Sequence, residues 1–367
     1  MPDAVIVATA RTPIGRANKG SLVTMRPDDL SALVIRALFE RVPALDPSLV
    51  EDVLWGCGQP AGESGFNIAR VAAVLAGLDV PGVTVNRYCS SSLQTIRMAA
   101  HAIRAGEGDV FVAGGVETVS RFANGMADDG PPNPVFDGAR ARTRERAAGG
   151  QGPWTQPTGL PDIYIAMGQT AENVREIENV SREEMDRFAL LSHQRAVAAQ
   201  ERGFFEREIV PVKLPDGTVV ARDDGPRADT SLEKLAQLKP AFRPDGEVTA
   251  GNSCPLNDGA AAVLVMSDTR ARELGVTPLA RVVASAVSAL NPEIMGLGPV
   301  EASRRALERA GMTIDDVDLV EINEAFAAQV IPSARHLGVA WDKLNVNGGA
   351  IALGHPFGMT GARIMAT

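Results

Sequence analysis

The chain has 367 residues, 45% hydrophobic and 22% charged, with a formal net charge of −9, the profile of a globular protein of roughly two to three domains. That charge excludes a basic nucleic-acid or anionic-membrane surface as the main partner. Apolar runs are far short of a membrane span, the Met1–Val7 start has no basic leader, and three cysteines form no CxxC pair, so a soluble, unexported, cytoplasmic protein without disulfides or structural zinc is expected.

In chain order, Ala4–Ala10 reads as a buried strand, Asp28 to about Arg41 as a helix and Glu51–Gly56 as a second strand. Thr84-Val85-Asn86 then leads into Asn86-Arg87-Tyr88-Cys89-Ser90-Ser91-Ser92-Leu93-Gln94. Leu93, Ile96, Ala99, Ala100 and Ile103 recur at helical spacing, the three serines can satisfy the first free N–H groups, and Gly106 supplies the stop. Cys89 is thereby placed at a helix N-terminus, where the aligned peptide dipoles favour the thiolate. Ala113–Glu117, after the strand Asp109–Val112, is either a tight turn or a close-packed subunit contact.

Residues 121–248 break the alternation. They hold proline-rich turns, the run Arg140, Arg142, Arg144 and Arg146, and an amphipathic helix from about Arg182 to Arg202. The arginine run reads as a solvated loop or exposed helix; Arg222 and Arg227 are a second basic pair. Thr249–Ala261 precedes the apolar strand Ala262–Met266, and Cys254 within it is by residue type a small buried hydrophobe at a turn.

The late sequence repeats the early one. Ala280–Ala286 is expected as a strand, Pro299–Ala310 as a helix and Asp315–Glu321 as a strand, so two related βα halves with mostly parallel sheets are implied. The boundaries are then 1–120 plus 249–269 for the first half, 121–248 for the insertion and 270–367 for the second half. Asn323 follows the second late strand, where its carboxamide either caps the next helix or orients a water at an oxyanion. His355 lies in the glycine-dense run Asn347–Pro356, and Cys plus His is the minimum pair for a thiolate nucleophile. His101, His193 and His336 read as surface or boundary residues without a role.

Arg11–Gly15, the Cys89 segment, Gly114–Glu117, Met167–Asn173, Gly251–Ala261, Asn323–Phe326 and Gly354–Pro356 stand in one order, and in these the chain from Val5 to Ile364 resembles the thiolase family of acyl-CoA acetyltransferases. The resemblance implies an α/β fold of duplicated βαβαβαββ halves in a five-layered α-β-α-β-α core, with an inserted loop domain. It implies ping-pong thiolysis of 3-ketoacyl-CoA: Cys89 as nucleophile, His355 generating its thiolate, and Asn323 holding a water for the oxyanion. Arg227 falls at a basic contact to the CoA nucleotide, Cys254 at the pantetheine arm, and Met167 and Phe326 at the acyl pocket. Coenzyme A is expected as co-substrate, with no permanently bound cofactor, no metal, and a homodimer or homotetramer as the assembly.

The family's second cysteine, in a Cys-x-Gly motif past the histidine, does not occur up to Thr367; a tail beyond Thr367 is expected to carry it. Ser92, Cys254-Pro255 and Phe357 depart from the family pattern and narrow or reshape the substrate passage. The competing readings are a biosynthetic, acetoacetyl-CoA-forming thiolase and a non-catalytic acyl-CoA-binding protein; Asn323 speaks against a ketoacyl synthase.

Overall fold

Near-continuous apolar runs make strands buried on both faces, and the computed structural model, which describes residues 2–367, is built around one sheet of such strands. The first half runs β1 (Ala4–Arg11), β2 (Gly15–Arg16), α1 (Pro27–Arg41), β3 (Asp52–Gly56), α2 (Ile68–Ala76), β4 (Gly82–Val85), α3 (Ser91–Ala105) and β5 (Val110–Thr118). The insertion carries α4 (Asp137–Ala147), α5 (Met167–Ile177), α6 (Arg182–Glu201), the short pair β6 (Val212–Lys213) and β7 (Val219–Val220), and α7 (Leu232–Ala236). Then come β8 (Asn257–Ser267), α8 (Asp268–Glu273), β9 (Ala280–Arg281), α9 (Gly298–Ala310), α10 (Ala327–Leu337), α11 (Ala350–Leu353) and α12 (Thr360–Ala366).

The sheet order is β4-β3-β5-β8-β1-β9, with β2 on β8. β3 is parallel to β4 and β5, whereas β8 is antiparallel to both β5 and β1. The expectation of a mostly parallel sheet is corrected here: β8 returns from the long insertion beside β5, a connection that needs no crossover helix. Val7, Leu30, Ile35, Leu38 and Trp55 pack on the face covered by α1 and α2. Ile6, Leu54, Ile96, Ile103, Val263 and Ala362 pack on the other, covered by α3 and α12. Fully burying each of the Val, Leu and Ile side chains is worth about 1.5–3 kcal/mol. A third cluster joins Met185 and Phe188 of the insertion to Phe326, Val330 and Ile331.

The insertion is pinned to the sheet by charge. Arg11, fully buried at the end of β1, meets Glu208 at 2.7 Å and Asp223 at 2.7 Å. Its two carboxylate partners keep the guanidinium charged despite the burial, a pairing whose removal on one side is costly.

The second half departs from the expected strands. Of 280–286 only Ala280–Arg281 is strand, because side chains take the carbonyls beyond it: Arg104 those of Val282 and Val283, Arg309 that of Ser285 and Arg305 that of Val287. Of 315–321, Ile314–Asp316 is a 3₁₀ turn and Val320 makes a single parallel bridge to Leu344. Val283 and Leu319 are exposed at these places, so little apolar burial rewards regular pairing there. The helix expected at 299–310 is present as α9, and the arginine run forms α4, in which only Ala139 is buried.

Candidate active site

The ends of the parallel strands β3, β4 and β5 lie side by side, and the turn leaving β4 carries Cys89. After β4, the Asn86 side chain accepts from the Tyr88 N–H at 2.8 Å and donates to the Gly58 carbonyl at 3.0 Å. Tyr88 has φ of 42°, a left-handed conformation that costs a bulky residue about 1–3 kcal/mol. It opens a 3₁₀ turn, Tyr88–Ser90, that feeds directly into α3. Cys89 lies on this turn, half-buried and unoxidised.

Two expectations about this turn are corrected. None of the serines caps α3: Ser91 Oγ accepts from Arg87 N–H at 2.8 Å and donates to the Tyr88 carbonyl at 2.6 Å, while Ser92 Oγ accepts from Ala362 N–H at 2.8 Å. They staple the Cys89 turn to itself and to α12. Nor does the helix N-terminus win the thiol's titration, since burial first and the Glu117 carboxylate second push the Cys89 thiol up to about 12.

Glu117, at the end of β5, organises the neighbouring backbone. Its carboxylate accepts from Gly58 N–H at 2.8 Å, Gln59 N–H at 3.1 Å and Gly358 N–H at 2.9 Å, tying the loop after β3 to the loop after His355. Burial raises it to about 7, against the pull of those three N–H donors. Gly114-Gly115 is neither a turn nor an outer contact: it lies inside β5, and a side chain on Gly115 would strike the Gly358 carbonyl and, at 2.6 Å, the Gly56 carbonyl.

His355 is buried between α11 and α12. Gly354 before it has φ of 111°, and a Cβ added there would lie 2.6 Å from the Asn257 carboxamide, so a side chain meets both strain and clash. The same Asn257 accepts the His355 backbone N–H at 2.9 Å and donates to the Gly15 carbonyl at 3.0 Å. On the ring, Nδ1 lies 2.6 Å from Thr360 Oγ1, and Nε2 lies 3.2 Å from Asn323 Nδ2. Burial, with Arg363 nearby, pulls the imidazole down to about 3, so it is neutral. Asn323 is not the cap of α10, which begins four residues later at Ala327; its carboxamide goes to His355 instead. Glu324 beside it accepts from Ser192 Oγ at 2.6 Å, Asn345 Nδ2 at 2.9 Å and Ile351 N–H at 3.1 Å, fixing the Asn323 loop to α11.

The structure brings Asn323 to His355 and Cys254 into the neighbourhood of Cys89. α12, which starts at Thr360, packs against the Cys89 turn and α3. Cys254 N–H donates to the Ala325 carbonyl at 3.0 Å, and Ser253 bridges Phe326. Burial first, then the nearby Cys89, raise the Cys254 thiol, so Cys254 is a half-exposed neighbour of the nucleophile rather than a residue of the deep core. Phe326 is buried edge-on to Phe242 with ring centroids 5.9 Å apart, and Phe242 packs on Gly168 next to the exposed Met167. Arg227 lies at the surface near Arg16, its N–H on His193 Nδ1 at 3.3 Å. His193 is buried rather than a boundary residue. Residue-type reasoning did not single out Glu117, Asn257, Glu324 and Thr360, whose hydrogen bonds hold the Cys89 and His355 segments; for the first three, an acid or carboxamide inside a glycine-rich or apolar run was the available signal. Among the described residues no cluster of His, Cys, Asp and Glu is spaced to hold a metal ion, and no helix is long and apolar enough to cross a membrane.

Comparison with known proteins gives consistent matches. Residues 4–269 match the family "Thiolase, N-terminal domain" and residues 276–367 "Thiolase, C-terminal domain". The chain is 45% identical over 377 residues to the beta-ketoadipyl-CoA thiolase of Acinetobacter baylyi, covering 100% of this chain and 92% of the relative. It is 46% identical over 377 residues to the 3-ketoacyl-CoA thiolase of Cronobacter sakazakii, with the same two coverages of 100% and 92%. Among solved structures, the Bacillus anthracis acetyl-CoA acetyltransferase superposes with a TM-score of 0.85 at 40% identity, covering 100% of this chain and 91% of that one.

Proposed function

The chain belongs to the thiolase family, CoA-dependent acyltransferases, and from that premise we propose that it cleaves 3-ketoacyl-CoA through an acyl thioester on Cys89. The observation that carries the proposal is the neutral, buried His355 imidazole, held beside the Asn323 carboxamide and joined through Thr360 to the helix that packs on the Cys89 turn.

Cys89 and His355 rest as thiol and imidazole. The Cys89 proton passes to His355 Nε2 as the sulfur attacks the 3-keto carbon, because a thiol held near 12 is a poor nucleophile until a base takes its proton. The carbon–carbon bond then breaks, its electron pair going to the enolate of acetyl-CoA. The Asn323 amide and protonated His355 donate toward the enolate oxygen, and the proton carried by His355 then goes to the enolate α-carbon, giving acetyl-CoA and neutral imidazole. A second CoA thiol gives its proton to His355 and attacks the Cys89 thioester, releasing the shortened acyl-CoA, and the departing Cys89 sulfur takes that proton back, restoring thiol and imidazole. Arg227 beside Arg16 serves the CoA nucleotide, Cys254 borders the pantetheine arm, and Met167 and Phe326 border the acyl chain.

We place the physiological direction as cleavage, as in β-oxidation, in the cytoplasm. We propose a homodimer or homotetramer assembled in part through β4: it is the end strand of the sheet, Val83 on it is exposed, and Phe66 beside it is 96% exposed on a left-handed turn.

The test is thiolysis of a panel of 3-ketoacyl-CoA thioesters, straight chains of increasing length and one ending in a carboxylate, with free CoA as acceptor. Acetyl-CoA and the shortened acyl-CoA appearing in equal amounts support the proposal. No cleavage of any member by a protein that binds CoA overturns it in favour of a non-catalytic acyl-CoA binder. Activity on acetoacetyl-CoA alone favours the biosynthetic reading.

A further inference from the structure

We infer that Thr360 is a positioning residue that fixes the tautomer of His355, holding the ring proton on Nδ1 and leaving the Nε2 lone pair for the reaction. The inference rests on the reading of His355 as the base, and it stands on the hydrogen-bond count around the ring. Thr360 Oγ1 lies 2.9 Å from the Pro356 carbonyl and 2.6 Å from His355 Nδ1. A hydroxyl has one proton, and a carbonyl can only accept. The Thr360 proton therefore goes to Pro356, four residues back, as threonines at the start of a helix commonly donate. The oxygen is left as an acceptor facing Nδ1, and a separation of 2.6 Å requires a proton between them, which the ring must supply.

The opposite side of the ring agrees independently. Asn323 turns its Nδ2, a donor, to Nε2 at 3.2 Å, so Nε2 is the acceptor. With His355 1% exposed, bulk water does not compete for either nitrogen. The ring is also held in place: its backbone N–H is tied to Asn257, and Phe357 meets its face edge-on at 5.3 Å between centroids. In the wrong tautomer Nε2 would carry a proton and be unable to take one from Cys89. Thr360 also opens α12, the helix that rests on the Cys89 turn, so one residue sets both the protonation and the placement of the base. When the Cys89 S–H bond breaks and the Nε2–H bond forms, the imidazolium stays stabilised by the existing Nδ1–H···Oγ1 bond.

The experiment uses the full chain with ¹⁵N-labelled histidine. Two-bond ¹H–¹⁵N spectra at neutral pH, with His355 assigned by its loss in His355→Gln, report which ring nitrogen carries the proton. The expected wild-type result is a protonated Nδ1 and a bare Nε2. Thr360→Val is expected to lose that tautomer bias and to lower kcat for thiolysis about 10- to 100-fold, the usual cost of removing a partner that orients a reacting imidazole, with KM for CoA unchanged. Thr360→Ser is expected to restore the wild-type spectrum and most of the rate lost in the valine variant. A wild-type ring protonated on Nε2, or a folded Thr360→Val with wild-type spectrum and kcat, overturns the inference. A wild-type ring protonated on Nδ1 in a protein that cleaves no 3-ketoacyl-CoA supports the tautomer assignment and sinks the proposed function.

Discussion

The turn that carries Cys89 and the loop that carries His355 meet at one site but are built in opposite ways. Cys89 is half-buried, on a turn open enough to be reached. His355 is buried, and its backbone N–H and both ring nitrogens are engaged by Asn257, Thr360 and Asn323. A nucleophile must be reachable by a bulky thioester, whereas a base must be fixed in tautomer and direction. The contrast separates chemistry from stability: the same loss of activity should cost the fold very different amounts on the two sides.

The largest expected effect breaks the comparison from the open side. Cys89→Ala should lower thiolysis by about 10⁴-fold or more while changing unfolding free energy by less than about 1 kcal/mol in urea. On the closed side, His355→Ala should cost about 10²- to 10⁴-fold in kcat. It should also remove about 1–3 kcal/mol of stability, because Thr360 and Asn323 lose their partner inside the protein. Equal destabilisation by the two variants would contradict the contrast.

Glu117→Gln probes the backbone stack between the two sides. Its NH2 replaces one oxygen and so opposes either the Gln59 N–H or the Gly58 and Gly358 N–H groups, so about 1–3 kcal/mol of stability should go and kcat should fall at least about tenfold as the His355 loop shifts.

The smallest effect is a pH slope. With the Cys89 thiol raised from 9.0 to about 12, the folded protein keeps its proton where the unfolded chain has lost it. Stability from this group is therefore full below about pH 9 and falls as pH rises toward 12. Alkylation of Cys89 by iodoacetamide should likewise climb about tenfold per pH unit from pH 7 to 10. A plateau below pH 8 would mean that a thiolate is already present in the free protein.

Much of the site was legible in sequence because its signals are local. The Cys89 turn follows an apolar strand and precedes a periodic helix, and His355 lies among glycines that allow tight backbone approach. What the sequence hid is what depends on long-range partners. Ser91 and Ser92 look like helix caps, yet Ser92 is drawn to Ala362, 270 positions away. The dipole argument placed a thiolate on Cys89, but burial and Glu117 are tertiary effects that a helix-end rule cannot see. Strand pairing in the second half failed for the same reason: arginines from α3 and α9 took the carbonyls of 282–287. By contrast, β1 and β3, whose apolar runs bury both faces, were found at their expected places, while β5 and β8 contain the expected strands but run on over Val110–Thr118 and Asn257–Ser267.

Everything proposed for the chemistry passes through one covalent species. The full chain incubated with a 3-ketoacyl-CoA in the absence of free CoA, quenched in acid and mapped by mass spectrometry, should carry the shortened acyl group as a hydroxylamine-labile thioester on the Cys89 peptide. An acyl group found on Cys57 or Cys254 instead, or cleavage with no acylated cysteine at any time, would contradict the account.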